Sequence, residues 1–407
     1  MALLDQGLIA SSNFALSILL ARWLSPQQYG SYALAFEIFL LVSLLHQALL
    51  LEPQRVFGST DHGDRQREYL GVLLCFNLGL AAAVIVAVGV SAWVLHTFMM
   101  RDSLPEALVG VMFAAPCILV LWLARGAYYV RMSPQYAVIG ATLYCTAMFG
   151  SLGLVYKYRL LSVASAFLVM GAAALISSAV LLVRLRPVFS GYSMWGPIFR
   201  QHWTYGRWIL LSSVLSWLTG AIYYPLVSSF SGMAATGALK VLLNLTLPAA
   251  QAFNALSVFV LPYASRMYQL NGVAALTHVV TRMTWLFAAG SILYWGLIIF
   301  LSKPLILLLY GARYSDLYSL VPLVAVASIP WNIAYVPAIA LRAVRSSASI
   351  FAIYCASSAV AVVIGIPVTW GYGLRGALWT MTVSNAAALL VSFVLFRRRL
   401  AGRSTGR

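Results

Sequence analysis

Four stretches of this chain, Val72–Leu95, Leu161–Val183, Trp208–Leu239 and Gly376–Phe396, each pass more than twenty residues without a charged side chain. A bilayer core needs about 20 apolar residues of helix to cross it. Inside that solvent every backbone group must be paired within the chain, which leaves helices and closed barrels. A barrel strand would alternate apolar and polar residues over about 10 positions, whereas these runs are continuous and twice as long. Hydrophobic residues make up 62% of the 407, enough for about twelve such helices. Charged residues are 9%, far below the roughly 25% of a soluble domain. A water-soluble enzyme is excluded, and the expected fold is an all-α integral membrane protein.

Apolar runs between charges and Pro/Gly clusters place helices near 6–24, 30–51, 69–95, 105–124, 136–156 and 161–183. Six more fall near 208–230, 238–262, 283–302, 317–341, 347–370 and 375–396. The loops are short, leaving no room for an extramembrane domain. The layout divides into a six-helix lobe over 1–190 and a second over 191–407 that ends in a basic tail. The opening Met1-Ala-Leu-Leu-Asp5 lacks the basic region of a signal peptide, so the first helix is expected to be retained. Cys75, Cys117, Cys145 and Cys355 lie within apolar stretches and read as small buried hydrophobes rather than disulfides.

Positive residues are retained on the cytoplasmic side of a membrane protein. With Met1 inside, 18 of the 26 Lys and Arg residues fall in inner segments, against 7 in outer ones; Lys240 falls within a span. Both termini are therefore expected in the cytoplasm, and much of the net charge of +17 is topological. The basic residues are spread over several loops without a nucleic-acid-binding pattern. The Arg397-Arg398-Arg399 cluster reads as a stop signal in contact with anionic lipid.

The two halves echo one another. Ser25–Tyr32 after the first span and Ser231–Leu239 after the seventh are short outer hairpins, each with a glycine (Gly30, Gly237) opening the next helix. Aligning those glycines pairs Glu37 with Asn244 and Gln47 with Asn254. The matching spans keep the same orientation, which makes a parallel repeat, an arrangement that places a pathway between bundles. Polar residues within spans mark packing contacts or that pathway. At 100° per residue Lys240, Asn244, Gln251 and Asn254 share an arc of about 80° on the eighth span, with Pro248 bending the helix between them, and that face is expected to turn away from lipid. Tyr205, Ser212, Ser216, Thr219 and Tyr223 form a stripe on the seventh, and Trp331, Tyr335 and Arg342 share a face of the tenth. Interhelical hydrogen bonding explains single hydroxyls; a stripe that includes a lysine is expected to line a water-filled central cleft. Glu37 stands well inside the second span, with three readings open. It is a hydrogen-bonded packing residue, a gating partner of Lys240, or a proton or cation carrier whose pKa burial raises.

Catalytic constellations are missing from the sequence. His46, His62, His96, His202 and His278 are scattered with no metal-ligand spacing, and Asp61-His62-Gly63-Asp64 reads as a solvated turn. No phosphate-binding loop occurs. Nine acidic residues, mostly isolated, argue against a glycosyltransferase. No cofactor, metal or enzymatic role is expected.

The segments Leu4-Asp5-Gln6-Gly7, Ser12-Asn13-Phe14 and Leu20-Ala21-Arg22-Trp23-Leu24-Ser25-Pro26-Gln27-Gln28-Tyr29-Gly30 resemble the opening of polysaccharide (O-antigen) flippases. These belong to the multidrug/oligosaccharidyl-lipid/polysaccharide exporter superfamily. Asn244-Leu-Thr-Leu-Pro248, Gln251, Asn254 and Leu261-Pro262 look like that family's second repeat, and Tyr310-Gly311-Ala-Arg-Tyr314 like its short outer helix. The amino-terminus is shorter before the pattern begins than in many relatives. The resemblance implies two parallel-repeat six-helix bundles around a cleft in the bacterial inner membrane. It implies alternating-access flipping of a polyprenyl-diphosphate-linked O-antigen, capsule or exopolysaccharide unit. Membrane lipids and other polysaccharide assembly proteins would be its partners. A proton- or sodium-coupled multidrug exporter of the same superfamily is the other reading. A diphosphate buried without partners is prohibitive, so Arg22, Arg125, Lys240 and Arg342 are candidate phosphate donors. Asn244, Gln251 and Asn254 are candidate polar lining, and Tyr223, Trp331 and Tyr335 are candidate sugar platforms. Glu37 and Lys240 are candidates for gating or ion coupling.

Overall fold

The structure is a computed structural model, described over residues 1–99, 103–189, 192–344 and 346–404. Arg101, Arg345 and Arg407 of the charge count lie outside the described residues. The described residues are helical throughout, with short connections.

Contacts divide the chain into Met1–Val214 and Leu215–Arg407. The first unit holds α1 (Ala2–Trp23), α2 (Pro26–His46), α3 (Glu52–Phe57) and α4 (Gln66–Met99). It continues with α5 (Leu104–Val130), α6 (Pro134–Lys157), α7 (Val163–Leu185) and the amino-terminal part of α8 (Trp195–Gly220). A π-helical turn, Gln47–Leu51, joins α2 to α3. The start of α2 follows from its sequence. Ser25 caps the Gln28 amide, Gln28 reaches back to the Ser25 amide, and Pro26 pre-sets the first turn. Ser162 and Ser165 make the same reciprocal pair at the head of α7. At the centre of the unit α5 packs on α7 through small residues: a Cβ on Gly171 would stand 2.8 Å from the Ala114 Cα. Such close backbone approach is how helices associate where lipid is as apolar as leucine.

The contact boundary falls within α8, later than the 190/191 boundary expected from the spans. The physical reason is a polar and steric seam. The Tyr69 hydroxyl meets His202 Nε2 at 2.7 Å, and Gln201 donates to Asp61 at 2.6 Å. A Cβ on Gly206 would lie 2.4 Å from the Ala48 carbonyl oxygen. These contacts bind the first three turns of α8 to the first unit.

The second unit holds α9 (Tyr223–Asn244), α10 (Leu247–Phe300), α11 (Ser302–Tyr310), α12 (Val321–Ala343), α13 (Ser347–Val363) and α14 (Gly365–Ser404). Here α12 packs between α10 and α14, over a core that includes Phe253, Phe287, Val336 and Leu341. Ser357 on α13 and Ser384 on α14 hydrogen-bond each other's hydroxyl at 2.8 Å and each other's carbonyl.

Among the described residues ten helical stretches are long and apolar enough to span a bilayer, with a shorter apolar helix at Ala348–Val363. Two of the ten, Trp195–Asn244 and Leu247–Phe300, run 50 and 54 residues, about twice what one crossing needs. Gly232 (φ +82°) and Gly272 (φ +70°) interrupt them in conformations that side chains resist. Cutting at those glycines leaves 195–231, 233–244, 247–271 and 273–300. Counting 233–271 as one crossing across the short turn at Leu245–Thr246 gives three spans in place of two, and with Ala348–Val363 the described residues hold the twelve expected. Outward apolar faces carry Val86, Trp93, Leu293 and Phe300, each more than 60% exposed, as lipid contact requires.

Candidate functional site

In the second unit one face of α12 carries Trp331, Tyr335 and Arg342, within about 40° of arc at 100° per residue. Ala334 and Ala338 lie beside them and leave space. Across from them α13 contributes Ile350, Ile353 and Tyr354, and the eight side chains line a recess of about 40 Å³. Trp331 meets Tyr335 edge-on at 6.0 Å between centroids and Tyr354 at 6.4 Å. Tyr335 is half-buried and Arg342 exposed in the last turn of α12, where the helix dipole favours a cation. A planar guanidinium can grip a phosphate with two parallel hydrogen bonds, and the aromatic faces suit the apolar faces of sugar rings. The structure thus brings Tyr335, Arg342 and Trp331 together as their spacing implied.

The stripe expected on the eighth span does not survive as one face. Pro248 has no N–H to offer the Asn244 carbonyl, so the chain tightens there into i→i−3 bonds, Leu245 to Leu242 and Thr246 to Leu243. The helix is interrupted between Asn244 and Leu247. Counting 100° per residue across that point therefore fails. Asn244 is 2% exposed and lies against the Tyr310 hydroxyl, while Gln251 and Asn254 are exposed on α10. Lys240 is half-buried with its ammonium 5.3 Å from the centre of the Tyr224 ring, a cation–π contact. Tyr223 is fully buried beside Ser384. It therefore presents no open ring face in this structure.

In the first unit Arg22 is exposed in the last turn of α1. Glu37 is 7% exposed on α2, near Tyr32. Arg125 is engaged within its own unit: its Nε donates to Asp5 Oδ1 at 3.2 Å, and an Nη group contacts Oδ2. Tyr129, one turn along α5, donates to the same carboxylate at 2.5 Å. The Arg125 side chain is 11% exposed and that of Asp5 1%. Sequence reasoning passed over Asp5 and Tyr129 because Asp5 precedes the first fully apolar run. The available signal was the pairing of an acid and a base at the same end of their two spans. The Asp61-His62 turn is likewise tied down: His62 stacks on Tyr69 at 4.2 Å and meets Gln201 at 3.2 Å. Among the described residues no group of three His, Cys, Asp or Glu side chains could hold a metal ion.

Solved structures with this arrangement share its fold at low sequence identity. An inward-facing multidrug resistance MATE family transporter of the MOP superfamily superposes with TM-score 0.80 at 13% identity, over 97% of this chain and 95% of that one. The lipid II flippase MurJ in an inward closed conformation gives 0.73 at 13% identity, over 98% and 88%. A MOP superfamily transporter from Pyrococcus furiosus gives 0.67 at 13%, over 98% and 93%. The fold is therefore that of the MOP superfamily of membrane proteins. A family model described as "Polysaccharide biosynthesis protein" matches residues 19–319, and the chain belongs to that family. No curated protein matches the sequence.

Proposed function

We propose that this protein is a flippase that moves a polyprenyl-diphosphate-linked oligosaccharide across the bacterial inner membrane by alternating access, with both termini cytoplasmic. The observation that carries the reading is the Trp331–Tyr335–Arg342 face, which sets a cation beside edge-on aromatics on one helix of membrane-spanning length. A polyprenyl tail can stay in lipid, so the protein must solvate only the diphosphate and sugars. Membership of a polysaccharide biosynthesis family and a fold shared with a lipid II flippase support the same cargo class. Arg22, Lys240, Gln251 and Asn254 remain assigned to that cargo. Arg125 would join them only by leaving Asp5, and Asn244 and Tyr223 only by rearrangement within their unit. Glu37 and Lys240 remain assigned to gating or ion coupling.

The test is reconstitution of the full chain in vesicles carrying a fluorescent polyprenyl-diphosphate oligosaccharide, with leaflet location read by a membrane-impermeant sugar-modifying reagent. Wild-type protein should equilibrate the leaflets. Arg342→Gln should slow transfer at least about tenfold, the effect of losing a charge-assisted hydrogen bond worth about 1.5–3 kcal/mol, and Tyr335→Leu should slow it several-fold through the loss of a ring contact worth about 0.5–1.5 kcal/mol. The multidrug-exporter reading, which the shared fold with a MATE transporter favours, predicts instead no lipid transfer and proton- or sodium-driven efflux of cationic dyes.

A further inference from the structure

The amino-terminal turns of α8 differ from the rest of that helix. At 26 residues α8 is about 39 Å long, more than the roughly 30 Å hydrocarbon core. Its two charged residues, Arg200 and Arg207, both lie in the first half. The stretch runs on into α9 as far as Gly232, so 208–230 suffices to cross the core and leaves that half at headgroup depth, where its faces divide sharply. Ile198, His202 and Gly206, spaced four apart, are buried on the first unit. The fit is tight: besides the Gly206 approach, His202 Nδ1 meets the Leu49 carbonyl of the π-helical turn at 2.7 Å. The opposite face exposes Phe199, Arg200, Trp203, Arg207 and Trp208, with Phe199 59%, Trp203 46% and Trp208 64% exposed. On the helix the two arginines stand about 20° apart, with Trp203 on one side and Trp208 on the other. The Arg207 guanidinium sits 5.5 Å from the Trp208 ring centre.

Beside this face opens a groove of about 1000 Å³, lined by Arg200, Thr204 and Tyr205 of α8 together with Phe57 and His62. That volume is in the range that holds drug-sized ligands. Asp61 also lines it, its carboxylate accepting from Gln201. Amphipathic rings and arginines on one exposed face, the arginines about 10 Å apart along the axis, are what an interfacial surface needs. The rings sit among headgroups and upper chains, and the guanidinium groups meet phosphates.

We propose that this surface is a binding site for an anionic phospholipid of the surrounding leaflet, its phosphate on Arg200 and Arg207 and its headgroup reaching the groove past Thr204. The site is rigid because the His202, Gln201 and Gly206 contacts hold α8 against the unit. It is separate from the α12–α13 recess and independent of which cargo the protein carries.

The full chain, purified and placed in phosphatidylcholine nanodiscs with or without phosphatidylglycerol, provides the test. Spin-labelled phosphatidylglycerol should be held by the wild type in preference to spin-labelled phosphatidylcholine. Arg200→Gln with Arg207→Gln should weaken that preference about thirtyfold, from the usual attraction per arginine near an anionic surface. Arg200→Lys with Arg207→Lys should retain most of it, and thermal stability in pure phosphatidylcholine should not change. Equal retention of the two lipids by the wild type would overturn the proposal. So would undiminished selectivity in the glutamine variant, or inorganic phosphate alone stabilising the protein as much as phosphatidylglycerol does.

Discussion

Replacing Asp5 with alanine removes the carboxylate that both Arg125 and Tyr129 engage. Breaking a buried ion pair by deleting one partner typically costs about 3–5 kcal/mol, because the surviving charge is left uncompensated. The lower end applies here, since the Arg125 side chain keeps 11% of its surface exposed and its long stem can carry the charge outward. We expect about 3 kcal/mol for Asp5→Ala. Arg125→Ala should cost at least as much, because it strands an Asp5 only 1% exposed. Replacing both by alanine removes both buried charges at once, so the double variant should cost about 2–3 kcal/mol less than the sum of the single alanine changes. At about 2–4 °C per kcal/mol for a unit of this size, each single variant should melt about 6–12 °C lower. The four cysteines, all free and half-buried, allow unfolding to be followed with a thiol-reactive dye in detergent. Strictly additive single and double changes, with a coupling below about 0.5 kcal/mol, would show that the pair contributes nothing as a pair.

Three further outcomes follow from the packing. Gly206→Ala should destabilise by about 1–3 kcal/mol through overpacking, with a Cβ 2.4 Å from the Ala48 oxygen, whereas Gly196→Ala, with nothing within 4 Å, should leave the melting temperature unchanged. Gly232→Ala should cost about 1–3 kcal/mol from its backbone alone, since φ +82° with ψ 175° is a conformation essentially reserved for glycine, readable in the same melting assay. If Glu37 and Lys240 act on one gating step, Glu37→Gln combined with Lys240→Met should retain more lipid transfer than the worse single variant; a double variant no better than that single separates their roles.

The spans were legible because hydrocarbon imposes length and apolarity on any crossing helix, and no tertiary contact can override that. The Trp331–Tyr335–Arg342 face was legible for a related reason: α12 keeps its period across Pro330 and Pro337. The eighth span did not, because a tightened turn at Leu245–Thr246 changes the angle per residue without leaving an apolar gap. A residue count therefore carried Asn244, Gln251 and Asn254 onto one face when the backbone separates them. The boundary within α8 was hidden because its seam is made by single side chains, Tyr69, His202 and Gln201, rather than by any change in composition. Arg125 looked available because its partner, Asp5, lies 120 residues away in sequence.

The wide turn at Gln47–Leu51 has a bearing on how this chain is compared with others. Such a turn accommodates one residue more than an α-helix would in the same rise, so everything after it is rotated by about a hundred degrees relative to a straight continuation. Gln54 owes its orientation to that offset: it is 2% exposed, and its amide reaches the Leu123 carbonyl at 3.4 Å. An ungapped superposition on a kinsman lacking the extra residue would equate Gln54 with a position on a different side of the cylinder. Excising Leu49 would turn that amide away from its acceptor, and inserting a residue a few places later would restore it.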